Sequence, residues 1–312
     1  MARAMGARVQ MALAYESTYG TAPASGYFQM PLASTTLGME QPLIDSELLG
    51  YGRDPLAPQR DAITADGNVV VPVDSDAIGH WLKLAFGQPT TIGTTPKTHT
   101  FTSGSWVLPS ASVEVGNPDV PEYRMYSGVR VDTLDFTMQR SGLLQMTVGL
   151  IAQGEAAAAA SAAGTPAAIA VQRFGHFNGA IKRNGTALAN IVSGQVTYAN
   201  GLDRVETVRA DGKIDGLDPG MASLKGKMVT RFADTVLKTQ ALNGQACDLE
   251  FSWTISANVA LKLTAHAVYL PVPRVEIPGP QGLQAEFDWQ GAQGISPARL
   301  CTAVLTNSVA SY

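Results

Sequence analysis

Residues 46–87 read SELLGYGRDPLAPQRDAITADGNVVVPVDSDAIGHWLKLAFG, and the fold is read outward from this stretch. Its first part, 46–66, is a long polar loop carrying Pro55, Pro58 and several Gly and Asp residues. A loop of this length inside a domain is usually functional. The run from Asn68 to Val73 is β-branched and predicts a strand, with Pro72, which cannot donate a ladder hydrogen bond, at an edge or bulge. Asp74 and Ser75 are good helix caps, and after them Ile78, Trp81, Leu82, Ala85 and Phe86 fall on one helical stripe. His80 and Lys83 are expected to face away, and Gly87 to end the helix in a left-handed conformation.

A weaker copy of this unit follows in the second half. Residues 226–244 read GKMVTRFADTVLKTQALNG. Both stretches start at a Gly, run a strand, reach an Asp cap, form a short helix and stop at Gly. Each is preceded by a loop with an Asp-Pro step, Asp54-Pro55 or Asp218-Pro219. The matching order of elements argues for an internal duplication, each unit being a sheet covered by one helix.

The rest of the chain reads as strand and loop. Strands are predicted over 30–37 and 106–115, and the clearest hairpin over 129–139 and 143–151, turning at Ser141-Gly142. In that hairpin Leu134, Phe136 and Met138 alternate with polar residues, as do Leu144, Met146, Val148 and Leu150, so one face is packed and one solvated. Asn184-Gly185 signals a second hairpin, and Leu249, Phe251, Trp253 and Ile255 alternate again. The expected organisation is an N-terminal arm (1–28), a first β domain (29–152) with the long loop 46–66, an Ala-rich linker (153–168, containing QGEAAAAASAAGTP) and a second β domain (169–312).

Composition narrows the function. Of 312 residues, 45% are hydrophobic and 15% charged, enough apolar side chain for a real core and little surface charge. Up to Glu155 there are 15 acids and 9 bases, and from Ala156 onward 11 acids and 13 bases, with no basic cluster of the kind that holds a phosphate backbone. This balance suits an ordinary acidic protein as well as a conduit along which DNA slides. Cys247 and Cys301 are expected to be buried free thiols. No apolar run approaches the roughly 20 residues that span a bilayer, so no membrane partner is expected. The opening MARAMGARVQMALAYESTYG has only a short apolar patch and is read as no signal peptide, which predicts folding in a cytoplasm.

No catalytic or metal-binding constellation emerges, and no cofactor is expected. His80, His99, His176 and His266 are scattered. Asp74-Ser-Asp76 is better explained by helix capping than by metal binding, because the Gly and Glu of a calcium loop are missing. The segment from Gly220 to Lys227 has one residue too many for a phosphate loop, and Met228 stands where a Ser or Thr is required. Neither a Gly-x-Ser-x-Gly elbow nor a Gly-x-Gly-x-x-Gly turn occurs. Asn184-Gly-Thr186 fits a glycosylation acceptor but serves better as a turn. Trp81, Trp106, Trp253 and Trp289 are expected in core or interface packing. The competing use is a carbohydrate-binding or adhesin β-sandwich stacking sugars on Trp106 or Trp253.

Taken in order, several features resemble the major tail tube proteins of long-tailed bacteriophages. They are Glu16-Ser-Thr-Tyr-Gly-Thr-Ala-Pro23, Gly52-Arg53-Asp54-Pro55, the strand–helix unit ending at Gly87, Asn184-Gly185, and Tyr198-Ala-Asn-Gly-Leu-Asp203. The resemblance implies a mainly β protein of two tandem tube-type β-sandwich or barrel domains, each flanked by one short helix. It implies a non-enzymatic virion tail protein, assembled in the host cytoplasm, whose rings stack into a tube for DNA. One-domain subunits of this kind close as hexamers, so two domains per chain imply a trimeric ring with pseudo-sixfold symmetry. Implied partners are further copies of the chain, a tape measure protein, a tail terminator and tail-tip proteins, with double-stranded DNA passing through unbound. The contact between rings would fall on Gly52, Arg53, Asp54 and Pro55 of the loop and on Tyr15 and Tyr19 of the arm. The second copy departs from the pattern at Arg231 and Gln240, which weaken its strand and helical stripe.

Overall fold

In the computed structural model, which describes residues 3–274, 279 and 282–312, the alternating stretches become strands and the two stripes become helices. The first half opens with β1 (Gln10–Tyr15), β2 (Phe28–Met30), β3 (Ser34–Thr35) and β4 (Gly38–Glu40). The short pair β5 (Leu43–Ile44) and β6 (Gln59–Arg60) follows, then β7 (Thr64–Pro72) and the helix α1 (Ile78–Phe86). After α1 come β8 (Thr90–Ile92), β9 (Lys97–Thr102), β10 (Ala111–Asn117), β11 (Glu122–Met138), β12 (Gln145–Ala152), β13 (Gly154–Ala158) and β14 (Ala167–Ala168). The second half contains β15 (Gly179–Arg183), β16 (Thr186–Ala187), β17 (Ile191–Ala199), β18 (Asp203–Val205), β19 (Gly216–Asp218) and β20 (Ser223–Arg231). It continues with α2 (Val236–Asn243), β21 (Cys247–Ser256), β22 (Val259–Tyr269), β23 (Gln284–Ala292) and β24 (Cys301–Asn307).

Pairing repeats between the halves. In the first, β1 pairs β10, β10 pairs β11, β11 pairs β12, β12 pairs β7, and β7 pairs β3 and β4, all antiparallel. In the second, β15 pairs β21, β21 pairs β22, β22 pairs β23, β23 pairs β20 and β20 pairs β17, again all antiparallel. The registers agree as well. Gly67 lies opposite Leu150 as Gly226 lies opposite Trp289. The β10–β11 ladder shifts register between Ala111 and Val113, and the β21–β22 ladder between Cys247 and Leu249. Buried positions coincide: Ala65, Val69 and Val71 match Leu224, Met228 and Thr230, while Met146, Val148 and Leu150 match Ala285, Phe287 and Trp289. The alignment of Gly67 with Gly226 therefore holds in three dimensions, although few side chains are shared.

The helices differ between the halves. Asp74 Oδ1 accepts hydrogen bonds from the Asp76 and Ala77 amides at 2.8 and 2.6 Å ahead of α1, and Gly87 ends it at φ 91°. Every residue of α1 except Lys83 is buried, so His80 does not face solvent as the stripe alone predicts. A second layer covers that face. His80 Nδ1 is hydrogen-bonded to the Tyr15 phenol at 2.8 Å, and its ring meets Phe28 and Tyr312 at 4.4 and 5.2 Å. In α2, by contrast, only Leu237 and Ala241 are buried.

The halves are interlocked. β11 carries β12 along residues 130–136 and also pairs β17 of the second half from Thr133 to Met138. β24 returns to pair β9 of the first half as well as β22. One cluster of buried side chains runs through both halves. Residues 1–28, predicted as an arm, contain β1, whose Met11 and Leu13 are buried in that cluster. The Ala-rich stretch 153–168, predicted as a linker, is laid on the sheet. β13 pairs β11 over residues 123–127, β14 pairs β2, and Glu114 accepts hydrogen bonds from the Ser161 hydroxyl and the Ala162 amide at 2.6 and 2.7 Å. Strands made largely of Ala have no side-chain period, so pattern reading misses them. Trp106 likewise precedes β10 instead of starting it, and stands exposed.

Candidate functional site

Three surface features stand out. The first is the loop between β4 and β7. Its neck is fixed: Gln41 Nε2 donates to the Asp61 carbonyl at 2.8 Å, the Asp61 amide to Pro42 at 2.9 Å, and the Ile63 amide to Gly212 of the second half at 2.9 Å. Beyond the neck Leu43, Ile44, Leu48, Leu49, Tyr51 and Leu56 are all exposed, Leu49 by 94%. Isolated exposed apolar residues are ordinary, whereas six within one loop on a pinned base mark an interaction surface. Gly50 and Gly52 hold φ of 89° and 105°, the left-handed region that glycine tolerates.

Of the residues expected at this contact, Gly52, Arg53, Asp54 and Pro55 are together and exposed on the loop. Tyr15 and Tyr19 are placed elsewhere. Tyr15 ends β1 against His80, with Lys83 Nζ 4.0 Å from its ring centre. Tyr19 sits beside Gly128 with the Arg130 guanidinium 5.4 Å from its ring centre, and burial pushes its phenol up to about 12 against the opposing pull of Arg130. Between them Glu16 accepts hydrogen bonds from the Ser110 and Ser112 hydroxyls, both at 2.7 Å, and from the Gly128 amide at 2.8 Å. The motif at Glu16 is a fastening onto β10 and β11.

The second feature is the sheet that crosses the junction. Its packed row runs Val69, Val148, Leu134, Tyr198 and Leu224, each opposite the next and all buried. The neighbouring row on the other face runs Val70, Thr147, Asp135, Thr197, Lys225 and Gln290, and none of these is buried. Gln195 Nε2 donates to Asp135 at 3.0 Å and Lys227 pairs with Glu286, while Lys225 makes no ion pair among the described residues. The third feature is the sheet's edge: β3 and β4 pair β7 on one side and, among the described residues, no strand on the other. Natural proteins blunt or cover such edges unless another chain takes them up.

Chemistry of other kinds is sparse. Among the described residues no group of three His, Cys, Asp or Glu side chains could hold a metal ion, and no helix is long and apolar enough to cross a membrane. Cys247 and Cys301 are buried, and burial pushes their thiols up to about 11 and about 12. Trp81, Trp253 and Trp289 are buried, Trp253 with Phe136 at 6.2 Å, which removes Trp253 as a sugar platform. Sequence reading missed the apolar tip of the loop, although Leu48, Leu49 and Tyr51 stood in the quoted stretch. It also missed the open edge, which depends on pairing between distant segments.

Among curated proteins, none matches the chain. The family model described as phage tail tube protein matches residues 6–291, nearly its whole length. The chain belongs to the phage tail tube protein family.

Proposed function

We propose that the chain is a tube subunit holding two tube domains, three copies of which close a pseudo-sixfold ring. The observation that carries this reading is the junction itself. Two halves with matched strand order and register are already joined by β11–β17 into one sheet, packed on one face and polar on the other. Repeating that junction around an axis closes a ring whose polar face lines the lumen, a heterologous contact that cycles back on itself. A lumen of Thr and Gln with isolated cations lets DNA slide without capture, since tight holding needs many cations along the backbone.

The loop carrying Gly52, Arg53, Asp54 and Pro55 then contacts the next ring, burying Leu48, Leu49 and Tyr51. Tyr15 and Tyr19 act beneath the surface, holding the subunit against its own sheet. Within the virion tail the further partners are a tape measure protein in the lumen and terminator and tip proteins at the ends. Assembly takes place in the host cytoplasm. Light scattering and electron microscopy of the purified chain test the reading. Rings and hollow tubes support it, and a species that stays monomeric under every assembly condition sinks it.

A further inference from the structure

We infer that the ring closes through one particular pair of segments: residues 271–273 of one copy lie antiparallel to residues 39–41, at the free edge of β4, of the next. This rests on the ring-forming role proposed above and adds which edges meet and in what register.

The inference follows from the register match. On one side of β11, β10 stops at the Ala111–Val129 pair. Beyond it that side is taken by β17, from the Thr133–Ala199 pair to Met138–Gly194. In the second half β21 stops at the equivalent Cys247–Val268 pair. Beyond Tyr269 no described strand takes the same side of the chain. The strand equivalent to β17 is β3–β4 of the first half, because Leu37 faces Gly67 as Val196 faces Gly226. That strand's outer edge is the open one. The molecule therefore ends, on each side, in one half of a junction that it completes once internally.

Side chains agree with this. Met39 occupies the position of Tyr198, which is 3% exposed against Leu134, yet Met39 itself is 38% exposed. Tyr269 and Val272 are exposed at 48% and 57%. Pro271 and Pro273 lack N–H groups, and in an extended chain alternate residues turn to the same side. Pairing with β23 ends at Tyr269, and a cavity of about 520 Å³ separates residues 271–274 from Gln284, Glu286 and Asp288. Carrying over the Thr133–Ala199 pair sets Val272 opposite Glu40, and carrying over Leu134–Tyr198 sets Pro273 opposite Met39. By the same carry-over Pro271 and Pro273 take the places of Asp132 and Leu134, and the Asn200 amide donates to the Asp132 carbonyl at 2.7 Å, so the prolines turn their donor-free side to the neighbour and bond it through carbonyls alone.

Paired cysteines test the contact. Directly opposed residues in an antiparallel pair stand about 4.5–5.5 Å apart, within disulfide reach. The double variant V272C/E40C is assembled and oxidised beside V208C/E40C, whose Val208 is exposed but lies in no paired strand. The expected result is rings by electron microscopy and a shift from monomer to covalent multimers on non-reducing gels for V272C/E40C alone. Rings whose cross-linking does not exceed that of V208C/E40C overturn the edge assignment and leave ring formation standing. A parent chain that forms no rings overturns the ring reading itself. If the double variant fails to assemble, equal mixtures of V272C and E40C single variants are joined with a short bis-maleimide. Heterodimer formation then supports the contact and its absence overturns it.

Discussion

Asn200, in the second half of the chain, donates its Nδ2 to the carbonyl oxygen of Ala85 at 3.0 Å, near the C-terminal end of α1 in the first half. The same amide donates to the Val131 carbonyl at 2.9 Å, and Asn200 Oδ1 accepts from the Tyr198 phenol at 3.0 Å. Helix carbonyls near the C-terminus have no partner within the helix, so a side chain from elsewhere completes them. One buried side chain thus fastens three elements and both halves.

Asn200→Ala leaves two buried carbonyls and a buried phenol without this partner. Each unmade bond costs about 1–3 kcal/mol, so we predict a loss of at least about 2 kcal/mol in urea unfolding. Unfolding remains a single transition, because the core is shared. Two separated transitions would show that the halves fold independently.

Gly226 has no room for a side chain: a Cβ there would lie 2.1 Å from the Gln195 carbonyl oxygen and 2.3 Å from the Trp289 ring. Its counterpart Gly67, at φ 147°, would meet the backbone of Leu37 at 2.6 Å. Gly226→Ala should therefore cost at least the roughly 1–3 kcal/mol typical of overpacking, read as a lowered melting temperature. An unchanged melting temperature would show that β17 and β20 approach less closely.

The loop tip carries apolar surface that the subunit's own core does not use. Deleting residues 52–58, or changing Leu48 and Leu49 to Asp, leaves stability within about 0.5 kcal/mol, as for surface positions generally, while long tubes are lost. Circular dichroism and electron microscopy read the two effects separately. Unfolded protein from the deletion would place the loop in the core.

Acid sensitivity follows from two buried groups of opposite sign. Burial first, and then Lys83, push the His80 imidazole down from 6.5 to about 4. Its contribution to stability is whole above 6.5 and is lost as pH falls towards 4, where only the unfolded chain binds the proton. Burial pushes the Asp74 carboxyl up from 3.8 to about 6, against the hydrogen bonds from Asp76 and Ala77. Its contribution is whole below 3.8 and is lost as pH rises through 6, offsetting part of the His80 loss. His80→Gln removes the first effect, so between pH 6.5 and 4 the variant's melting temperature should fall less steeply than the parent's. Parallel pH profiles would contradict the assignment to His80.

Much of this architecture was legible because side-chain period carries it. The alternation of Leu134, Phe136 and Met138, the stripe of α1 and the Asn184-Gly185 turn, with φ of 48° and 76°, are local signals. The echo of Gly67 in Gly226 was legible for the same reason, since each unit is a contiguous run of chain. What escaped depends on distant partners. β1 looked like a leader because its short run Met-Ala-Leu-Ala needs β10 to define it, and His80 looked exposed until Tyr15 and Tyr312 closed over it. Tyr15 and Tyr19 were grouped with the loop by resemblance alone. The open edge of β3–β4 was invisible because an unpaired edge is defined by the whole sheet.

Cryo-electron microscopy of assembled tubes, with symmetry determined for a single ring, tests the central claim most directly. The account predicts three chains per ring, six repeats of one strand order around a polar lumen, and one β11–β17-like junction within each chain for every junction between chains. Rings of six chains, or a lumen lined by a different sheet, would contradict it.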